Sequence, residues 1–294
     1  MKNFDDSFYI CDFGDLAKSH KRWNELFPNT SPFYAVKAAP YPPMIRCLSA
    51  MGVGFDCASQ EEIDLVLNNG STPDSIIFAN PTKSVSHIIH AREKGVKMLV
   101  FDSEQELHKI KEHFPDSELI LRIMVENPIA ELPLFGKFGA TMEESRHLIS
   151  VAHLTKMKII GISFHVGSGC LDADSYDETI KQARELFDYG KTFEMNFVIL
   201  DIGGGFPGLF GSALSIEKEK ADKDRHYALL WGPSCGSRAI SMRMLVPKLD
   251  YDDWLFWKDA GAYTFARSSG FNGFKTTAFY NIVSTENELA LILS

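Results

Sequence analysis

The sequence predicts an α/β fold: a (β/α)8-type barrel whose eighth unit is missing, followed by a β-rich C-terminal region. Two observations carry that expectation. Short, nearly continuous apolar runs of strand length recur from residue 33 to residue 201, as expected of strands covered on both faces. Segments with helical spacing separate them, and regular strand–helix alternation implies a parallel sheet.

The strand runs, in order, are "FYAV" 33–36, "GVGFD" 52–56, "SIIFAN" 75–80, "KMLVFD" 97–102, "ELILRIM" 118–124, "IIGISFHV" 159–166 and "FVILDIGG" 197–204. Residues 59–69, 103–114 and 175–190 have helical spacing, and Ser59 stands three residues before Glu62 in a capping pattern. Seven such units suggest a barrel, in which strand C-termini gather at one mouth where such folds do chemistry. Residues 209–225 hold no buried strand run, whereas 226–294 are aromatic, glycine-punctuated and alternating, which suits antiparallel β structure. The expected division is therefore a barrel over 1–208, a shortened connection over 209–225 and a partial β domain over 226–294.

The bulk numbers narrow the function. With 294 residues, 45% hydrophobic and 23% charged, the chain reads as an ordinary globular protein. A net charge of −9 without any Lys/Arg cluster argues against a nucleic-acid surface. No stretch reaches membrane-spanning length, and the opening "MKNFDDSFYI" lacks the apolar core of a signal peptide. Five dispersed cysteines, Cys11, Cys47, Cys57, Cys170 and Cys235, show no metal-ligand spacing and suit a reduced, cytoplasmic setting.

The strand-end polar residues are Lys37, Asp56, Asn80, Asp102, Arg122, His165 and Asp201. Each taken singly reads equally as a loop or cap group, and a lysine just past a strand is ordinarily solvated. Two glycine-rich stretches change the balance. "DIGGGFPG" puts Gly203, Gly204 and Gly205 directly after a buried strand, where the backbone can approach a ligand and turn N–H groups toward a phosphate. The alternative is a plain flexible turn. "SFHVGSGC" follows His165 with Gly-Ser-Gly, so Ser168 becomes a second phosphate or ring contact. A phosphate site beside a strand-end lysine is the arrangement that pyridoxal phosphate chemistry needs. Desolvation at a barrel mouth is expected to lower the pKa of Lys37 and keep its amine nucleophilic.

The blocks "PFYAVKA", "GVGFDCASQEEI", "IIFANPTK", "KFGAT", "ISFHVGSGC", "VILDIGGGFPG", "WGPSC", "GAYT" and "FNGF" occur in one order. Together they resemble the ornithine decarboxylase family, of the alanine-racemase-like (fold type III) pyridoxal phosphate decarboxylases. That resemblance implies that Lys37 is the Schiff-base lysine and that His165 meets the cofactor ring. It implies that Ser168, Gly203, Gly204, Gly205 and Tyr263 hold the phosphate, while Asp56 and Arg122 line the pocket. It implies that Cys235 and Phe271 serve an active site shared across a homodimer, with Cys235 governing protonation of the product. The implied chemistry is decarboxylation of a basic amino acid, ornithine to putrescine in polyamine biosynthesis. A non-catalytic homologue acting through an antizyme-like regulator is the alternative. The family's Glu-Pro-Gly-Arg tetrapeptide does not occur in this sequence, and Gly236 follows Cys235 where the family has Asp.

Overall fold

The computed structural model describes residues 7–126, 130–132, 136–206, 214–216, 225–230, 242–250, 253–268 and 278–284. In chain order the first elements are β1 (Tyr9–Asp12), α1 (Phe13–Leu26), β2 (Phe33–Ala35), a 3-10 turn (Val36–Ala38) and α2 (Pro42–Ala50). Next come β3 (Gly54–Cys57), α3 (Gln60–Leu67), β4 (Ile76–Phe78), α4 (Val85–Glu93), β5 (Met98–Phe101) and α5 (Glu104–His113). They are followed by β6 (Glu118–Arg122), β7 (Ala130–Leu132), α6 (Met142–Thr155), β8 (Lys158–Ser163), β9 (Ser168–Cys170), α7 (Asp174–Lys191) and β10 (Ile199–Asp201). The last are β11 (Leu214–Ile216), β12 (Arg225–Leu230), β13 (Met242–Pro247), β14 (Leu255–Trp257) and β15 (Phe279–Ile282).

All seven apolar runs read from the sequence are strands of one seven-stranded sheet, ordered β10-β8-β6-β5-β4-β3-β2, and every pairing in it is parallel. Among the described residues no further strand joins β10 or β2, so the eighth position stays open. The helices between strands begin where the caps require. Ser59, Ser84, Ser103 and Thr141 each accept a backbone N–H of the first helical turn, and Thr141 with Glu144 closes a full capping box.

Alternation along each strand sorts the core into two layers. Phe55, Ile76, Phe78, Leu99, Phe101 and Leu121 face the helices, packing with Ile45, Ile63, Ile88, Leu107 and Ile149 in one buried cluster. Ile77, Val100, Ile120 and Ile160 form a separate cluster on the other face, with Met98 and Ile199 against it. Because both faces are covered, the strands have no polar face to show, which is why they read as continuous apolar runs.

A charged group is built into this frame. Lys83 is 1% exposed, and its Nζ lies 2.8 Å from Glu106 Oε1 while donating to the carbonyls of Asn80 (3.0 Å) and Val100 (2.6 Å). Burial lowers the pKa of Lys83 despite the partly compensating Glu106. This ties the loop after β4 to β5 and α5.

The C-terminal strands form small antiparallel pairs, β11 with β14 and β12 with β13. Antiparallel β structure was expected over 226–294, whereas β11 lies in the 209–225 stretch read as a connection without a buried strand run. One pairing has no sequence precursor. β1 lies parallel to β15 with Tyr9 opposite Phe279, so the N-terminal segment joins a C-terminal strand rather than the barrel sheet. Tyr41 and Phe265 pack their rings on Phe279, fastening that pair to the start of α2.

Candidate active site

The site lies at the C-terminal ends of the parallel strands. β2 ends and the chain tightens into the 3-10 turn that carries Lys37. Two hydrogen bonds hold the turn from outside: Tyr263 N–H donates to Ala38 O (2.8 Å), and the Tyr34 hydroxyl donates to Ala39 O (3.2 Å). Tyr263 sits in left-handed backbone (φ 57°), a conformation rare for an aromatic residue that here aims its N–H at the turn.

Lys37 Nζ lies 3.0 and 3.1 Å from the two carboxylate oxygens of Asp56, at the end of the neighbouring strand β3. The side chain is 43% exposed, so the amine is reachable. Desolvation is the largest single influence and pulls its pKa down, but the charge and hydrogen bonds of Asp56, with smaller contributions from Tyr263 and Glu62, together outweigh it, and the net shift is upward. The expectation that burial would lower the pKa of Lys37 is therefore corrected. A charge partner in direct contact defeats partial desolvation.

Arg122, at the end of β6, is a half-buried cation lowered from its ordinary pKa by desolvation, with Asp102, Asp201 and Asp56 opposing. Its guanidinium lies 4.8 Å from the Phe138 ring centroid. His165 follows β8. Burial, then the nearby charges of Arg122 and Lys37, push its pKa down to about 4, so the ring is neutral near pH 7. Its Nδ1 accepts the Gly167 N–H at 2.9 Å, which puts the proton of the neutral ring on Nε2.

The glycine loop after β10 packs against this histidine. Gly203 has φ +63° and Gly205 φ +104°, and a side chain at Gly203 would collide with Phe164 O. A Cβ on Gly204 would stand 3.1 Å from His165 Nε2, so only a glycine leaves that space free. Asp201 Oδ1 accepts the Gly203 N–H at 2.8 Å, and burial raises its pKa. Among the described residues the N–H groups of Gly204 and Gly205 meet no acceptor.

Thus Lys37, Asp56, Arg122, His165 and Asp201 share one electrostatic neighbourhood, flanked by Gly203–Gly205 and Tyr263. Asp102 and Asn80 serve the loops instead. Asp102 Oδ2 accepts the Gly139 N–H (3.0 Å), and Asn80 Oδ1 accepts that of Thr82 (3.1 Å). Ser168 is exposed on β9, opposite Leu132. Cys235, Gly236 and Phe271 lie outside the described residues. Sequence reasoning missed the Tyr34 hydroxyl, whose role depends on the turn it reaches back to. Among the described residues no group of His, Cys, Asp and Glu could hold a metal ion, and no helix is long and apolar enough to cross a membrane.

A parallel α/β sheet whose mouth presents a lysine, an arginine, a neutral histidine and a glycine loop with free N–H groups defines a class of protein that binds a phosphorylated aldehyde cofactor. The sequence model of the pyridoxal-dependent decarboxylases, pyridoxal binding domain, matches residues 13–228, and the chain belongs to that family. Rat (Rattus norvegicus) ornithine decarboxylase is 32% identical over an alignment 373 positions long, gaps included, that covers 95% of this chain and 81% of that protein. Antizyme inhibitor 2 of Xenopus laevis is 31% identical, covering 92% and 79%. The crystal structure of the Paramecium bursaria Chlorella virus arginine decarboxylase superposes with a TM-score of 0.90 at 27% identity, covering 95% of this chain and 96% of that one.

The cofactor of this family is pyridoxal phosphate, and the residues present fit it. The site offers a reachable amine on Lys37 and, among the described residues, N–H groups of Gly204 and Gly205 that meet no acceptor, with the glycine loop packed closely against the His165 ring.

Proposed function

We propose that the chain is a pyridoxal phosphate-dependent amino-acid decarboxylase acting on a basic amino acid, with ornithine to putrescine as the reading favoured by its relatives. The observation that carries it is the ion-paired Lys37 at the strand-end mouth beside the unpartnered N–H groups of the glycine loop. Lys37 would hold the cofactor aldehyde, and Gly203, Gly204, Gly205, Ser168 and Tyr263 would hold its phosphate. When bound, the cofactor supplies the electron sink for loss of the α-carboxylate.

The residues of the chain do the rest. Asp56 keeps the Lys37 amine charged and oriented in the resting site. His165, neutral at physiological pH, offers an uncharged ring to the cofactor without adding to the positive charge of Arg122. Arg122 supplies a fixed cation that attracts anionic groups into the mouth. Cys235 and Phe271 would act across a homodimer, with Cys235 placing the proton on the product carbon. Gly236 in place of an acid beside Cys235 leaves the distal amine of ornithine without its charged partner, so preference among basic substrates is expected to be weak.

A second reading draws on the similarity to antizyme inhibitor 2: a non-catalytic homologue that acts through an antizyme-like regulator. The absence of Glu-Pro-Gly-Arg from the sequence favours it. One experiment separates the two. Titrate the purified protein and Lys37→Ala with pyridoxal phosphate, then assay carbon dioxide release from ornithine, lysine and arginine. The enzyme reading expects a visible absorbance band that Lys37→Ala lacks, with turnover of at least one of the three amino acids. Loss of either result in the wild type overturns it.

A further inference from the structure

The glycine loop is anchored from behind by Tyr176, which lies outside the family blocks, and by Cys170, which ends the block "ISFHVGSGC". Tyr176, in the first turn of α7, donates its hydroxyl to Gly204 O at 3.1 Å. Cys170 N–H, from β9, donates to Gly205 O at 3.0 Å. A peptide unit is planar and trans, so its C=O and N–H point in opposite directions. Turning the Gly204 carbonyl toward α7 therefore sends the Gly205 N–H to the opposite side, where it meets no acceptor among the described residues.

The tyrosine is itself held in place. Its ring stacks on Phe206 with centroids 5.1 Å apart and planes at 22°, and Phe206 packs in turn against Trp23 and Phe27. Gly205 has no room to adjust, because a Cβ there would lie 3.0 Å from the Tyr176 hydroxyl and collide with Gly167 O. Burial, with a smaller contribution from Cys170, pushes the phenol pKa up to about 12, so the hydroxyl remains a donor across the working pH range.

We propose that Tyr176 is a positioning residue for the cofactor phosphate: by holding the Gly204 carbonyl outward it makes the glycine loop present its N–H donors to the anion. This rests on reading Gly203–Gly205 as the phosphate grip. Tyr176→Phe keeps the ring stack and deletes only the hydrogen bond, so the aromatic packing is preserved.

The test is to titrate wild type and Tyr176→Phe with pyridoxal phosphate and, separately, with pyridoxal, which lacks the phosphate. Tyr176→Phe is expected to bind pyridoxal phosphate about threefold to tenfold more weakly, the range of one neutral hydrogen bond, and to bind pyridoxal as wild type does. An equal loss for both ligands, or no loss for either, overturns the proposal. If wild type itself binds the two alike, the phosphate-grip reading fails and Tyr176 loses its role with it.

Discussion

Replacing Asp56 by Asn should make the Lys37 amine more reactive, not less. In the folded protein opposed effects act on that amine: desolvation lowers its pKa, and the carboxylate 3.0 Å away, aided by Tyr263 and Glu62, raises it. The substitution removes the carboxylate and leaves the desolvation. An opposite charge within this distance is worth about one to three pKa units, and the lower end applies to a side chain in contact with solvent. The pKa of Lys37 should then fall, and the neutral fraction of the amine near pH 8 should rise with it. The assay is the rate of Lys37 labelling by an amine-selective acylating reagent across pH 7 to 11, read by mass spectrometry of the Lys37 peptide. A Lys37 labelling midpoint in Asp56→Asn at or above that of wild type would refute the reasoning.

Two further perturbations test the frame around the site. Unfolded, the His165 imidazole titrates at its ordinary 6.5, and folded at about 4. Between those values the unfolded chain binds the extra proton, so stability is full above pH 6.5 and falls as the pH drops toward 4, by at most about 3 kcal/mol. Asp201, raised by burial, titrates in the opposite sense, so the measured quantity is wild type minus His165→Gln in urea midpoints. A difference that is flat from pH 4.5 to 7.5 contradicts the buried, neutral imidazole. Lys83→Met removes one of the two cations on Glu106, leaving Lys109 Nζ at 2.6 Å from Oε2, and takes the donor from the Asn80 and Val100 carbonyls. It should cost about 1–3 kcal/mol by urea denaturation, and Lys83→Met with Glu106→Leu should recover part of that. A double variant as unstable as the single one would show that packing and the lost carbonyl hydrogen bonds, rather than the buried carboxylate, set the cost.

The seven parallel strands were legible because double-sided burial writes itself into sequence as short Val/Ile/Phe runs, and the helix starts were legible because Ser59 and its counterparts are local caps. The close-packed glycine turn was legible in part, since three glycines after a strand allow a close backbone approach, and Gly203 and Gly205 do adopt positive φ. The pairing of β1 with β15 was not, because a two-stranded contact between residues 9–12 and 279–282 leaves no periodicity in either segment. Neither was the direction of the Lys37 pKa. Sequence alone placed a lysine at a strand end, where desolvation was the effect that could be foreseen. The partner that reverses it sits nineteen residues away on the next strand.

By itself, then, the sequence determined the parallel sheet and the family, and placed Lys37 and the glycine loop at strand ends, since these follow from burial patterns and short local motifs. Only the tertiary structure decided how those parts act. It set Asp56 against Lys37, neutralised His165 by burying it beside Arg122, and turned the Gly204 carbonyl onto Tyr176. Each of these depends on the distance between groups on different elements, and electrostatic and hydrogen-bond energies are set by that distance.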